Sequence, residues 1–241
     1  MDQLNFKTED SIDISANHYT SGHDCVLIIC PGFLMHKNST PFISLSQKLS
    51  ESFDILTIDF RGHGTSNGEY TFTSRESLDL KAAIGFCKER YKKIGVIGFS
   101  LGGAVAINEV SENTAVNRLM VISAPADFYW IENRFLTKEV IASTIKKFDW
   151  KMVQVRFGNI LLRKPRPIDN IVKISPRPVL FVHGDKDTIV KPRHSLFLYK
   201  KAKEPKRLVK YENCLHAEDV FHSENFDNFI SLCLEWFKDD K

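Results

Sequence analysis

The sequence predicts an α/β fold, a mostly parallel, doubly wound sheet of about eight strands carrying a small helical insertion. Three observations lead there. Six short runs rich in β-branched residues, at 25–31, 54–60, 93–100, 118–125, 177–185 and 207–213, each end in a turn signal. Near-continuous apolar runs of this length read as strands covered on both faces. Helical patterns separate them, so strand and helix alternate as right-handed crossovers require. The composition supports a sizeable core, with 43% hydrophobic and 26% charged residues in a chain of 241.

Taken in order, "LNFKTED" and "SIDISANHYT" alternate apolar and polar residues and predict a half-exposed hairpin at the sheet edge. "CVLIICP" is the first buried strand. "TPFISLSQKLSES" then repeats its apolar residues near every 3.6 positions and predicts a helix. After the strand "DILTIDF", a second helix is expected over "SRESLDLKAAIGFCKERY", with Ser74 as its capping residue and a glutamate early. "KIGVIGFS" and "RLMVISAP" continue the sheet. Residues 126–175 then break the rhythm, taking far longer than one helix needs to return the chain to the strand "RPVLFVHGD". That stretch holds Phe128, Tyr129, Trp130, Phe135, Phe148, Trp150 and Phe157, and is expected to form a helical cap over the strand ends, within one domain spanning 1–241.

Charge and cysteine usage exclude several classes of function. The 33 basic and 30 acidic residues leave a net charge of +3, spread without the basic stripe that nucleic-acid binding needs. "LLRKPRPID" and "KKAKEPKR" read as solvated faces. Five cysteines, an odd number with no CxxC pair, argue for reduced thiols and a cytoplasmic protein rather than disulfides or a zinc site. The N-terminus lacks a secretory pattern, and no apolar run approaches the about 18 residues that span a bilayer. The expected partner is a small molecule, with no metal or cofactor, no nucleic acid and no stable membrane insertion; oligomeric state stays open.

The chemistry centres on "GFSLG" at 98–102. A G-x-S-x-G pattern after a strand and before a helix is a nucleophile elbow. Its glycines remove side chains where backbones crowd, and the following helix aims free amides and its positive end at the serine. In open α/β sheets, ligands bind at the carboxyl ends of the strands, which is where Ser100 falls. A serine needs a base, and His216 sits just after the last strand, with His222 in reserve. His183, ending the previous strand, reads as structural. His18, His23 and His194 read as surface residues, and so does His36, though it lies near the loop after the first buried strand. The base needs an acid, and "VHGDKDTIV" supplies Asp187, with Asp185 capping the turn. Asp127 is the second option. An oxyanion hole needs two amides: those of Leu101, after the elbow, and of Phe33, in "CPGFLMHKN". Phe33 and Leu34 are the residues expected to touch substrate.

With "PGF" at 31–33, "DFRGHGTS" at 59–66, "GFSLGG" at 98–103, "HGDKDTIV" at 183–190 and "LH" at 215–216, the chain resembles the α/β-hydrolase superfamily along nearly its whole length. By that resemblance Ser100 is the nucleophile, Asp187 the acid and His216 the base, with Phe33 and Leu101 as oxyanion donors. Size and cap position are similar to those of compact serine esterases, a group that includes cinnamoyl esterases. Pro31 stands where many members carry histidine. The resemblance also implies that "DFRGHGTS" is a structural turn outside the site. The expected activity is hydrolysis of carboxylic esters of small to medium or phenolic acids. A thioesterase, an amide hydrolase or peptidase, and a non-catalytic ligand-binding protein are the alternatives.

Overall fold

The structure, a computed structural model, describes residues 1–132, 155–221 and 224–238. Eight strands form one sheet: β1 (Asp2–Lys7), β2 (Asp13–Tyr19), β3 (Cys25–Cys30), β4 (Asp54–Ile58), β5 (Lys93–Phe99), β6 (Arg118–Ile122), β7 (Val179–Gly184) and β8 (Lys206–Tyr211). Their spatial order is β1-β2-β4-β3-β5-β6-β7-β8. The β1–β2 hairpin joins antiparallel at one edge, and the remaining strands run parallel.

Alternation explains the apolar runs. Along β3, Val26, Ile28 and Cys30 face one side, while Leu27 and Ile29 face the other. On β6, Leu119 and Val121 oppose Met120 and Ile122 in the same way. Because both faces are covered, successive side chains are apolar rather than alternately polar. One layer holds α2 (Glu76–Lys88), α3 (Leu101–Glu112) and, further along, α5 (Arg193–Lys201). The other holds α1 (Thr40–Leu49) and α6 (Glu224–Lys238). Among the described residues, no helix is long and apolar enough to cross a membrane.

The second helix begins two residues later than its sequence suggests, and Ser74 does not cap it. The Glu76 carboxylate is the stronger local acceptor: fully buried, it takes the Thr71 amide at 2.5 Å and the Thr71 hydroxyl at 3.0 Å. That bond winds the chain into its own turn ahead of the helix.

Between β6 and β7, the described parts are a 3-10 turn (Phe128–Trp130), an extended arm from 155, the short helix α4 (Pro167–Asn170) and a second 3-10 turn (Ile171–Lys173). The arm lies in the second half of the stretch, 126–175, expected to form a helical cap, of which residues 133–154 lie outside the described residues. It makes isolated bridges from Val155 to His63 and from Phe157 to Tyr70. The Arg156 amide donates to the Gly62 carbonyl at 2.8 Å, and the Tyr70 amide donates to the Arg156 carbonyl at 2.8 Å. Ile168, Ile171 and Ile174 are buried in the α2–α3 layer, so the end of this stretch packs beneath the sheet's helices. Phe135, Phe148 and Trp150 lie outside the described residues.

Candidate active site

At the end of β5 the chain turns sharply, and Ser100 holds φ 49 and ψ −121, a conformation costly for a residue with a side chain. Its amide is anchored to the Ile122 carbonyl at 2.8 Å. The crowding around it explains the flanking glycines. A Cβ on Gly98 would stand 2.6 Å from the Gly103 Cα, and one on Gly102 would overlap the carbonyl oxygens of Cys30 and Pro31. The first turn of α3 therefore lies directly against the end of β3. Leu101 opens α3, so its amide has no acceptor within the helix.

His216 arrives from the loop after β8. Its Nδ1 lies 2.7 Å from Asp187 Oδ2 and its Nε2 lies 2.8 Å from Ser100 Oγ. A carboxylate only accepts, so the proton sits on Nδ1 and the Nε2 lone pair receives the serine hydroxyl. The Asp187 Oδ1 accepts the Ile189 and Val190 amides at 2.9 and 3.0 Å. Burial pushes the Asp187 carboxyl up, but electrostatic attraction to the His216 ring and hydrogen bonds from His183 and His216 outweigh it. The group is held well below the usual carboxylate range.

His183 is buried and does more than turn the chain. Its Nε2 lies 2.7 Å from the Val190 carbonyl and 3.2 Å from Asp187 Oδ2. Both are acceptors, so the proton belongs on Nε2, and Nδ1 accepts from the Ser195 hydroxyl at 2.6 Å. Asp187 is thus gripped by two histidines and two amides.

The loop after β3 forms the other wall. The Met35 amide donates to the Gly32 carbonyl at 3.2 Å, closing a turn in which Leu34 holds φ 67. In a trans peptide the carbonyl and the amide hydrogen point in opposite directions. The Phe33 amide therefore points away from the turn that its own peptide carbonyl closes. A buried ion pair roots the loop: Lys37 Nζ lies 2.7 Å from Asp59 Oδ2, both side chains at 0% exposure. The Lys37 amide adds a 2.6 Å bond to Asp59 Oδ1. The Leu34 amide donates to His63 Nε2 at 3.3 Å, and burial lowers the pKa of His63 to about 4. The Phe33 ring packs on Tyr70, Phe72 and Phe157, with centroids 5.5, 5.3 and 6.0 Å away.

The structure thus brings Ser100, Asp187 and His216 into one hydrogen-bonded chain. It sets the Phe33 and Leu34 loop beside the helix that Leu101 begins. Asp127 stands apart, accepting the Tyr129 amide at 2.8 Å and pairing with Arg166 at 2.6 Å. Asp185 is exposed, and His222 lies outside the described residues. His18, His36 and His194 are buried, against the surface placement expected of them. The His194 ring, for one, accepts the Ala126 amide at 3.1 Å. Sequence reasoning sets "DFRGHGTS" outside the site, yet its Asp59 and His63 hold the Phe33 loop. The available signal was position alone, since this loop and the Phe33 loop leave adjacent parallel strands at the same sheet edge.

Known proteins share this architecture. The Pyrococcus furiosus esterase Pf2001 superposes with a TM-score of 0.80 at 23% identity, covering 98% of this chain and 91% of that one. The α/β hydrolase GrgF from Penicillium sp. sh18 gives 0.82 at 18% identity, covering 98% and 97%. These likenesses establish the fold. In sequence, the uncharacterized protein YfhR of Escherichia coli K12 is 25% identical over 195 residues, which is 75% of this chain and 61% of that protein's length. The family described as serine aminopeptidase, S33, matches residues 22–173, more than half of the chain, and the chain belongs to that family within the α/β-hydrolase superfamily.

Proposed function

We propose that the protein is a serine hydrolase of carboxylic esters of small to medium or phenolic acyl groups, acting through Ser100, His216 and Asp187. The observation that carries this reading is the unbroken chain from the Asp187 carboxylate through the His216 ring to Ser100 Oγ, at 2.7 and 2.8 Å. Ser100 Oγ attacks the ester carbonyl while His216 Nε2 takes its proton. The negative oxygen that develops is met by the Phe33 and Leu101 amides. Collapse releases the alcohol, which receives the proton from His216 and leaves an acyl group on Ser100. Water then attacks with His216 again as base, and the acid departs. No step calls for a metal or an organic cofactor.

An apolar cluster beside the elbow supports a hydrophobic acyl group. Tyr70, Phe72, Leu101, Ile131 and Val190 are buried together, with Phe33, Phe128 and Ile189 packed on them. The name of Pf2001 as an esterase agrees with an ester substrate. The family's aminopeptidase description favours a second reading, cleavage of an amide after a free amino group. That chemistry needs a carboxylate to receive the ammonium. Two acids near the root of the insertion, Asp127 and Glu132, are instead paired with Arg166 and Arg193. These pairings favour the ester.

Initial rates on p-nitrophenyl esters from acetate to laurate, on methyl ferulate and on aminoacyl p-nitroanilides test this choice, using the wild-type chain and Ser100→Ala. Ester turnover that vanishes in Ser100→Ala is the expected outcome, and its chain-length profile sizes the acyl pocket. Turnover of anilides alone would move the reading to the amide hydrolase. Fluorophosphonate labelling of Ser100 without turnover of any substrate would leave a thioesterase or a binding protein.

A further inference from the structure

The geometry points to His63 as a positioning residue for the oxyanion hole, fixing the orientation of the Phe33–Leu34 peptide through the Leu34 amide. This inference rests on the ester-hydrolase reading above, in which the Phe33 amide receives the oxyanion.

The four residues 32–35 form a turn closed by the Met35 amide on the Gly32 carbonyl at 3.2 Å. Leu34 is third in that turn with φ 67, while Phe33 is not among the positive-φ residues. That combination belongs to a type II turn, whose third position favours glycine. Leucine carries a Cβ that crowds its own backbone there. If the central peptide flipped over, Leu34 would reach the ordinary negative φ of a type I turn and the crowding would end. Something must oppose the flip, and it is the bond from the Leu34 amide to His63 Nε2 at 3.3 Å. Flipping the peptide turns that amide away from the ring. The flip also points the Phe33 carbonyl to where that amide pointed, against the His63 side, and the loop that carries the Phe33 N–H, the proposed oxyanion donor, must shift to seat it.

His63 suits this task. Its Nε2 accepts, so its proton lies on Nδ1, which is 3.3 Å from the Arg61 carbonyl. Burial keeps the ring neutral, and a protonated ring would have no lone pair for Leu34. The Tyr70 ring stands edge-on at 4.4 Å, and the His63 backbone is bridged to Val155. The ring is therefore held from sides other than the one it supports.

The test is a cycle of four proteins, wild type, His63→Leu, Leu34→Gly and the double variant, with His63→Gln as the conservative change. kcat and KM are read on p-nitrophenyl butyrate. His63→Leu is expected to lower kcat by about ten- to a hundredfold, the scale set by a displaced rather than deleted oxyanion donor, with KM nearly unchanged. His63→Gln, which keeps an acceptor, should retain more kcat than His63→Leu. Glycine at 34 removes the crowding that drives the flip, so the same His63→Leu change should cost less than about threefold in that background. Equal losses in both backgrounds, or His63→Gln falling as far as His63→Leu, would overturn the proposal.

Nitrogen NMR of histidine-labelled wild-type protein supplies a reading that needs no variant to fold. His63 should show an unprotonated Nε2 and a protonated Nδ1, and the opposite tautomer sinks the idea. This readout survives even if Ser100→Ala retains turnover, an outcome that removes the ester reading and leaves the assignment of His63 to stand or fall alone.

Discussion

Ser100 is kept at φ 49 by neighbours rather than by its own preference. A non-glycine residue in such a conformation costs about 1–3 kcal/mol, and the surrounding sheet and helix must over-determine it. The same logic applies to Asp187, which is fixed largely by groups that contribute no chemistry. It is held by the Ile189 and Val190 amides and by His183 as well as by His216. Asp187→Asn should lower kcat by about 10⁴, because the amide favours the wrong tautomer of His216, while Asp127→Asn should leave kcat within a few-fold. The reverse ranking would move the acid to the loop after β6. A pH effect on stability follows from His63, whose pKa falls from 6.5 to about 4 on folding because burial disfavours the charged ring. Between those values the unfolded chain binds a proton that the folded chain refuses. The stability is therefore fully present above pH 6.5 and is lost as pH falls toward 4, by up to about 3 kcal/mol. Burial lowers His18 and His194 as well, so their contributions have the same sign. Urea unfolding at pH 7.5 and 4.5 checks this, and the drop should be smaller in His63→Gln than in wild type.

Elements explain why some of this was legible in the sequence. A strand buried on both faces has to be a short apolar run, so β3 to β7 could be read directly, and the strand ends then placed Ser100, Asp187 and His216 at one edge. The start of α2 could not be read, because the Ser74 hydroxyl donates to the distant Leu162 carbonyl instead of capping, while Glu76 fixes the preceding turn by accepting the Thr71 amide. Nor could the roles of Lys37, Asp59 and His63. Their contacts join two loops more than twenty residues apart, and no periodicity encodes a meeting of loops. His183 reads as a turn residue until the loop after β7 folds back and sets Asp187 against it. The contact between α3 and the end of β3 carries a prediction of its own. Gly102→Ala places a methyl group against the Cys30 and Pro31 carbonyls, which are backbone and have little room to yield. Helix and Phe33 loop must part, so kcat should fall by at least about tenfold, with a lower melting temperature. A variant with wild-type kcat would show that the two amides need not be held so closely.

Over the whole molecule, two helical layers bury the sheet, and the reacting groups gather where five loops meet at its carboxyl edge. Three of these loops are pinned by the others or by the sheet: the elbow by β6, the His216 loop by the amide of Lys186 on the Cys214 carbonyl, the Phe33 loop by Asp59 and His63. The returning arm of the insertion is pinned differently. It meets the 62–70 loop chiefly through main-chain bonds, from Arg156 to Gly62, from Tyr70 to Arg156 and from Gly158 to Tyr70. Bonds of that kind are blind to side-chain identity but unforgiving of length. Over generations, then, Phe157, whose ring meets Phe33 and Phe72, can be exchanged and so redraw what the protein accepts, whereas gaining or losing a single residue there would shift the pairing and unseat the loop that carries His63.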